Sequence, residues 1–210
     1  TGRSGTFYGY EGLGSIYWHM VSKLLLAVEE CALKAGEERA QEEEALIEQA
    51  KEVFEGIGVH KSPAVYGAFP IDPYSHTPFT KGAQQPGMTG QVKEDVISRI
   101  LELGAEVKNG RLSFSSALLD RSEFLKDESE FNYVDITGQF KTIELPKNAL
   151  AFTYCQVPVV YQLAKEAGIS IHQTNGQVIT VEGNSLDRKW SKQLFDRSNE
   201  IKMLEVRLKT

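Results

Sequence analysis

The stretch LELGAEVKNGRLSFS, residues 101–115, divides the chain. Before it, apolar residues recur at helical spacing; after it, they recur at every second position. Gly104 has the place of a helix C-cap, Asn109-Gly110 is a tight-turn pair, and from Asn109 the period is two. The reading is α plus β in separate segments, with a helical segment over 1–108 and an antiparallel β unit, a sandwich, over 109–210.

Working back from this boundary, the spacing predicts a helix from Met88 or Thr89 to Leu103, with Val92, Val96, Ile97, Ile100 and Leu101 facing inward. Residues 37–56 form a second helix, with Ala40, Leu46, Ile47, Ala50, Val53 and Phe54 as its stripe and glutamates on a solvated outer face. Gly56 and Gly58 stop it. A longer helix starts at Ile16 with Ser15 as N-cap and ends near Gly36. Its wide apolar face, Val21, Leu24, Leu25, Val28, Ala32 and Leu33, predicts deep burial.

Working forward, RLSFS, FNYVDI, GQFKTIEL, ALAFTYCQVPVVYQL, ISIHQ, QVITVEG and IKMLEVRL read as short strands. Asn175-Gly176 lies between two of them and predicts a hairpin. Pro158 interrupts the fourth and points to an edge or bulge. A short helix or irregular segment is expected around Trp190.

A net charge of -6 gives no electrostatic case for nucleic acid or an anionic membrane, and no run has the length of a membrane span. Cys31 and Cys155 form neither a metal spacing nor a disulfide framework, and leave the compartment open. The opening TGRSGTFYGYEGLGS is rich in glycine and aromatics and begins without methionine, so the chain reads as a piece of a longer protein.

The segment GAFPIDPYSHTPFTKGAQQPGMTG, residues 67–90, has neither period and carries three aromatics, which suits a packed loop that builds a site. It ends at Thr89-Gly90, where a hydroxyl and free backbone N–H groups meet the start of a helix. Such a position favours an anion, although simple capping by Thr89 has the same pattern. His19 marks a second helix start of this kind. Tyr17, Gln84, Gln85 and His76 suit a sugar, whose C–H faces stack on aromatics and whose hydroxyls need donors and acceptors. Equally, Tyr17 belongs to the core and the glutamines cap the next helix. His60 reads as a surface residue and His172 as a structural strand histidine.

Two of these segments resemble one family. GLGSIYWHMVSKLLLAVEE is similar to the glycine-rich helix start, Gly-Ile-aromatic-x-His, of inverting glycoside phosphorylases that include cellobiose phosphorylase. YGAFPIDPYSHTPFTKGAQQPGMTGQVKEDVISRI is similar to the later family loop that ends in Thr-Gly, with Gly87-Met88 where the family has aromatic-Leu. The resemblance spans roughly residues 5–125.

It implies that residues 15–104 are the last helices of an (α/α)6 toroid, followed by a C-terminal β-sandwich. It also implies phosphorolysis of an oligosaccharide or glycoside, with inorganic phosphate as co-substrate and no other cofactor. His19, Thr89 and Gly90 would hold the phosphate. The acid that protonates the glycosidic oxygen would lie upstream of Thr1, in the missing N-terminal part of the same polypeptide, so this piece alone is expected to be inactive. Related inverting hydrolases place a general base where phosphorylases place phosphate, and Glu11 is the residue for that role. Two carboxyls about 6.5–9.5 Å apart would then flank the bond. The remaining alternative is a non-catalytic module that binds a glycan or a neighbouring domain.

Overall fold

The computed structural model describes residues 18–57 and 92–209. The chain divides into two compact units, Thr1–Leu101 and Glu102–Thr210. The class is α plus β, as the change of period at residues 101–115 predicts.

In the first unit, α1 (Trp18–Glu38) and α2 (Glu43–Ile57) pack against one another, and α3 (Val92–Glu102) is the third described helix. Gly36 does not end α1. The helix continues to Glu38, and Arg39 takes the left-handed conformation (φ 53°) that closes it. Ala40 N–H donates to the Ala35 carbonyl at 2.9 Å and Arg39 N–H to that of Gly36 at 3.3 Å, a Schellman-type end. A Cβ on Gly36 would sit 2.9 Å from Glu43 Oε1, the end of a flexible side chain that can move aside, so packing does not require glycine there.

The helix faces differ from their apolar stripes. Leu25, Ala32, Ala35 and Ala50 are buried, but Leu24 is 54% exposed, and Val96 and Ile97 are 53% and 45% exposed. Glu94 and Ser98, one turn apart on α3, are buried in their place. The inward assignments of Leu24, Val96 and Ile97 are therefore corrected. Apolar residues cover nearly the whole circumference of α1, so periodicity alone does not fix which side this unit buries.

The first strand of the second unit starts four residues before the change of period at Asn109. β1 (Ala105–Lys108) pairs with β2 (Arg111–Phe114) around Asn109-Gly110, whose φ values of 51° and 74° make a type I′ turn. β3 (Ser129–Val134) and β4 (Phe140–Leu145) form a second hairpin. β5 (Ala149–Tyr154), β6 (Val157–Ala164), β7 (Gly168–Gln173), β8 (Val178–Glu182) and β9 (Ile201–Lys209) form one sheet in the order β5-β6-β9-β7-β8.

That sheet is mixed, which corrects the expectation of a wholly antiparallel unit. β9 enters between β6 and β7 and runs parallel to β6 from Val159↔Leu204 to Ala164↔Lys209. β6 and β7 are joined by only three residues, yet stand one strand apart and leave the slot that β9 fills. The chain reaches that slot through α4 (Arg188–Phe195), capped by Asp187, whose carboxylate accepts from Trp190 N–H at 2.8 Å. Alternation within a strand carries no information about the direction of its neighbour, so this insertion is invisible to the period.

The core follows the register. Tyr161, Val206 and Ile169 lie abreast on β6, β9 and β7, with Val159, Leu204 and Ile171 in the next row, and all six are buried. Each such burial contributes roughly 1.5–3 kcal/mol. Phe114 and Phe152 meet the Tyr161 ring edge-on at 5.8 and 5.1 Å. Leu112 N–H donates to Ser191 Oγ of α4 at 3.0 Å, and Leu186 N–H donates to the Leu112 carbonyl at 2.8 Å. On the opposite face, Leu145, Ala149 and Val160 form a smaller cluster with Phe131, Ile143 and Met203.

Pro158 proves to be inside β6, opposite Thr153. It is tolerated because the pairing with β9 begins only at Val159, so β6 has one neighbour at that point.

Candidate functional site

Among the residues singled out for chemistry, Glu11, Tyr17, His76, Gln84, Gln85, Thr89 and Gly90 lie outside the described residues. His19 is the second residue of α1, in the first turn, as its glycine-loop context predicts.

What the first unit does describe is how the starts of α1 and α3 relate. Lys23 lies one turn after His19, at i+4 and hence on the same side of α1. Its Nζ is 4.0 Å from Oε1 of Glu94, the third residue of α3. The contact links the second turn of α1 to the first turn of α3 through the long lysine side chain. The Lys23 side chain is half exposed, whereas that of Glu94 is 6% exposed. Ser22 and Ser98 are also buried, and the second Glu94 oxygen and the Ser98 hydroxyl have no hydrogen-bond partner among the described residues. Glu94 sits at the positive end of its helix dipole, where a carboxylate is favoured.

Sequence reasoning missed Lys23 and Glu94. The available signal was the i+4 spacing from His19 to Lys23. Glu94 by contrast read as one more polar residue on a helix with an apolar stripe.

The second unit carries polar groups of its own. At the β3–β4 turn, Asp135 accepts from Thr137 Oγ1 (2.7 Å), Thr137 N–H (2.8 Å) and Gln139 N–H (3.0 Å). The Thr137 hydroxyl, followed by the Gln139 amide, holds its carboxyl below the usual range. Gln156 Nε2 donates to the Asp135 carbonyl at 3.2 Å, tying this turn to the one between β5 and β6. There Cys155 and Gln156 adopt φ values of 51° and 65°, unusual for residues other than glycine or asparagine. Burial pushes the Cys155 thiol up, with Arg197 acting in the opposite sense. That is the reverse of the shift that activates a thiolate nucleophile.

His172 is paired, in keeping with a structural role. Its Nε2 is 3.1 Å from Glu205 Oε2 across β7 and β9, an ion-pair distance without hydrogen-bond alignment. Among the described residues, no group of three or more His, Cys, Asp or Glu is placed to hold a metal ion. No described helix is long and apolar enough to cross a membrane.

Comparison with known protein families finds none that matches the chain, and comparison with curated proteins finds no match either.

Proposed function

We propose that the chain is the C-terminal part of a carbohydrate-active enzyme that cleaves a glycosidic bond with inversion, by phosphorolysis. In this reading α1, α2 and α3 belong to the end of an (α/α)6 toroid, and the β unit is its C-terminal sandwich. His19, Thr89 and Gly90 hold inorganic phosphate through an imidazolium, a hydroxyl and a backbone N–H. A phosphate oxygen attacks the anomeric carbon while the glycosidic C–O bond breaks. An acid from the polypeptide before Thr1 protonates the departing oxygen, leaving a sugar 1-phosphate of inverted configuration. Tyr17, His76, Gln84 and Gln85 line the sugar side.

The observation that supports this reading is the contact between Lys23 and Glu94. A shared anion site needs the starts of α1 and α3 to converge, and a 4.0 Å contact between their early turns is what convergence requires.

The test is turnover by the longer polypeptide across a panel of glycosides, with and without phosphate. Sugar 1-phosphate formed only with phosphate is expected. Free sugar formed irrespective of phosphate would instead assign the inverting hydrolase with Glu11 as base, and no turnover at all would favour a non-catalytic module.

A further inference from the structure

The outward face of the β3–β4 hairpin has a pattern that the catalytic reading leaves unused. Phe131, Ile143 and Leu145 point into the core cluster, so alternation turns Glu130, Asn132 and Val134 outward, opposite Glu144, Thr142 and Phe140. Phe140 is 86% exposed and its neighbour Val134 38%. Next along the ribbon, Thr142 Oγ1 donates to Asn132 Oδ1 at 2.6 Å, so the Asn132 amide hydrogens are not engaged by that bond and have no acceptor among the described residues. Beyond them Glu130 and Glu144 face one another, both exposed and without an ion pair among the described residues. Like charges directly opposite destabilise a hairpin, and a bare phenyl ring forgoes its burial. The face thus holds a bare ring that a ligand would cover, beside two carboxylates able to accept hydrogen bonds from it.

We propose that this ribbon is a binding site for an extended neutral saccharide. Phe140 offers a flat apolar surface for the C–H face of a sugar ring, Asn132 donates to ring hydroxyls, and Glu130 and Glu144 accept from them. Charge and area exclude the other occupants. A nucleic acid would meet two carboxylates, and a second copy using the same face would set four of them together. A protein partner needs about 800 Å² on each side, whereas a six-residue, two-stranded ribbon offers about 20 by 10 Å, or roughly 200 Å². The proposal is independent of the reading of the helical unit, because every residue in it belongs to β3 or β4.

The test is affinity electrophoresis of the 210-residue protein through gels containing neutral soluble polysaccharides (hydroxyethylcellulose, barley β-glucan, arabinoxylan, glucomannan), with a polysaccharide-free gel as reference. At least one polysaccharide should retard the wild type. Phe140→Ala should lose that retardation while melting at the wild-type temperature, since the ring is not part of the core, and Asn132→Ala should weaken it. Absence of retardation by every polysaccharide, or equal retardation of Phe140→Ala, would overturn the proposal. So would binding of an oligolysine peptide that Glu130→Gln/Glu144→Gln abolishes, if no polysaccharide is retained, because the face would then be a basic-partner surface.

Discussion

The Tyr161 hydroxyl donates to the main-chain carbonyl of Leu103 at 2.6 Å, tying β6, next to the central strand of the five-stranded sheet, to the residue that precedes Gly104 and β1. Tyr161 is fully buried, and burial pushes its phenol far above the ordinary tyrosine range. The hydroxyl therefore stays protonated and donating at neutral pH. Tyr161→Phe keeps the ring contacts with Phe114 and Phe152 but leaves a buried carbonyl unpaired. A loss of about 1–3 kcal/mol is expected in denaturant titration.

Gly104 and Gly110 both have left-handed backbones, with φ of 69° and 74°, but very different surroundings. A Cβ on Gly104 would lie 1.8 Å from the Ser115 carbonyl oxygen, whereas one on Gly110 meets nothing within 4 Å. Gly110→Ala should cost about 1 kcal/mol from backbone conformation alone. Gly104→Ala should cost at least about 3 kcal/mol, since the Ser115 backbone must also move away from residue 104. Equal melting temperatures for the two variants would show that the close approach at Ser115 is absent.

Lys23 and Glu94 make unequal contributions, because one is half exposed and the other buried. Lys23→Met leaves a buried carboxylate without its counter-charge, and a loss of about 1–2 kcal/mol is expected after allowing for solvent screening at Lys23. Adding Glu94→Gln to Lys23→Met should restore part of that loss. Additive losses in the double variant would mean that the two side chains do not interact.

Asp135 gives a pH dependence whose sign is fixed by its partners. Its folded pKa lies below the unfolded value because the Thr137 hydroxyl and the Gln139 amide favour the carboxylate. The contribution is therefore complete above the ordinary aspartate value of about 4 and disappears as pH falls below it. Thr137→Val should melt lower than the wild type at neutral pH, and the difference should shrink as the pH is taken to about 2. A difference that stays constant over that range would rule out ionisation of Asp135 as its source.

The sequence made some parts of the fold legible and hid others for physical reasons. The switch of period across residues 101–115, the Asn175-Gly176 hairpin and the helix around Trp190 are local, and local chemistry marks them. ALAFTYCQVPVVYQL read as one strand with a proline fault, yet it is a hairpin folded at Cys155-Gln156. A cysteine and a glutamine in left-handed conformations carry no turn signature, and the tertiary bond from Gln156 to Asp135 stands in for it. The parallel insertion of β9 depends on a slot made by residues about 40 positions earlier, beyond the reach of any local pattern. For the candidate site, the helix start at His19 was legible from glycine, aromatic and histidine in succession. Its link to α3 was not, because Lys23 and Glu94 meet across 71 positions of sequence with no pattern to pair them.

The proposed anion site at the starts of α1 and α3 is tested by titrating the nitrogen-labelled protein with inorganic phosphate at constant ionic strength, following the Gly90 amide and the His19 imidazole by NMR, with sulfate and chloride as controls. Both signals should move along a single saturation curve, and Thr89→Ala should weaken the response at His19 as well as at Gly90. Signals that do not move, or that saturate at different phosphate concentrations, would contradict a shared site.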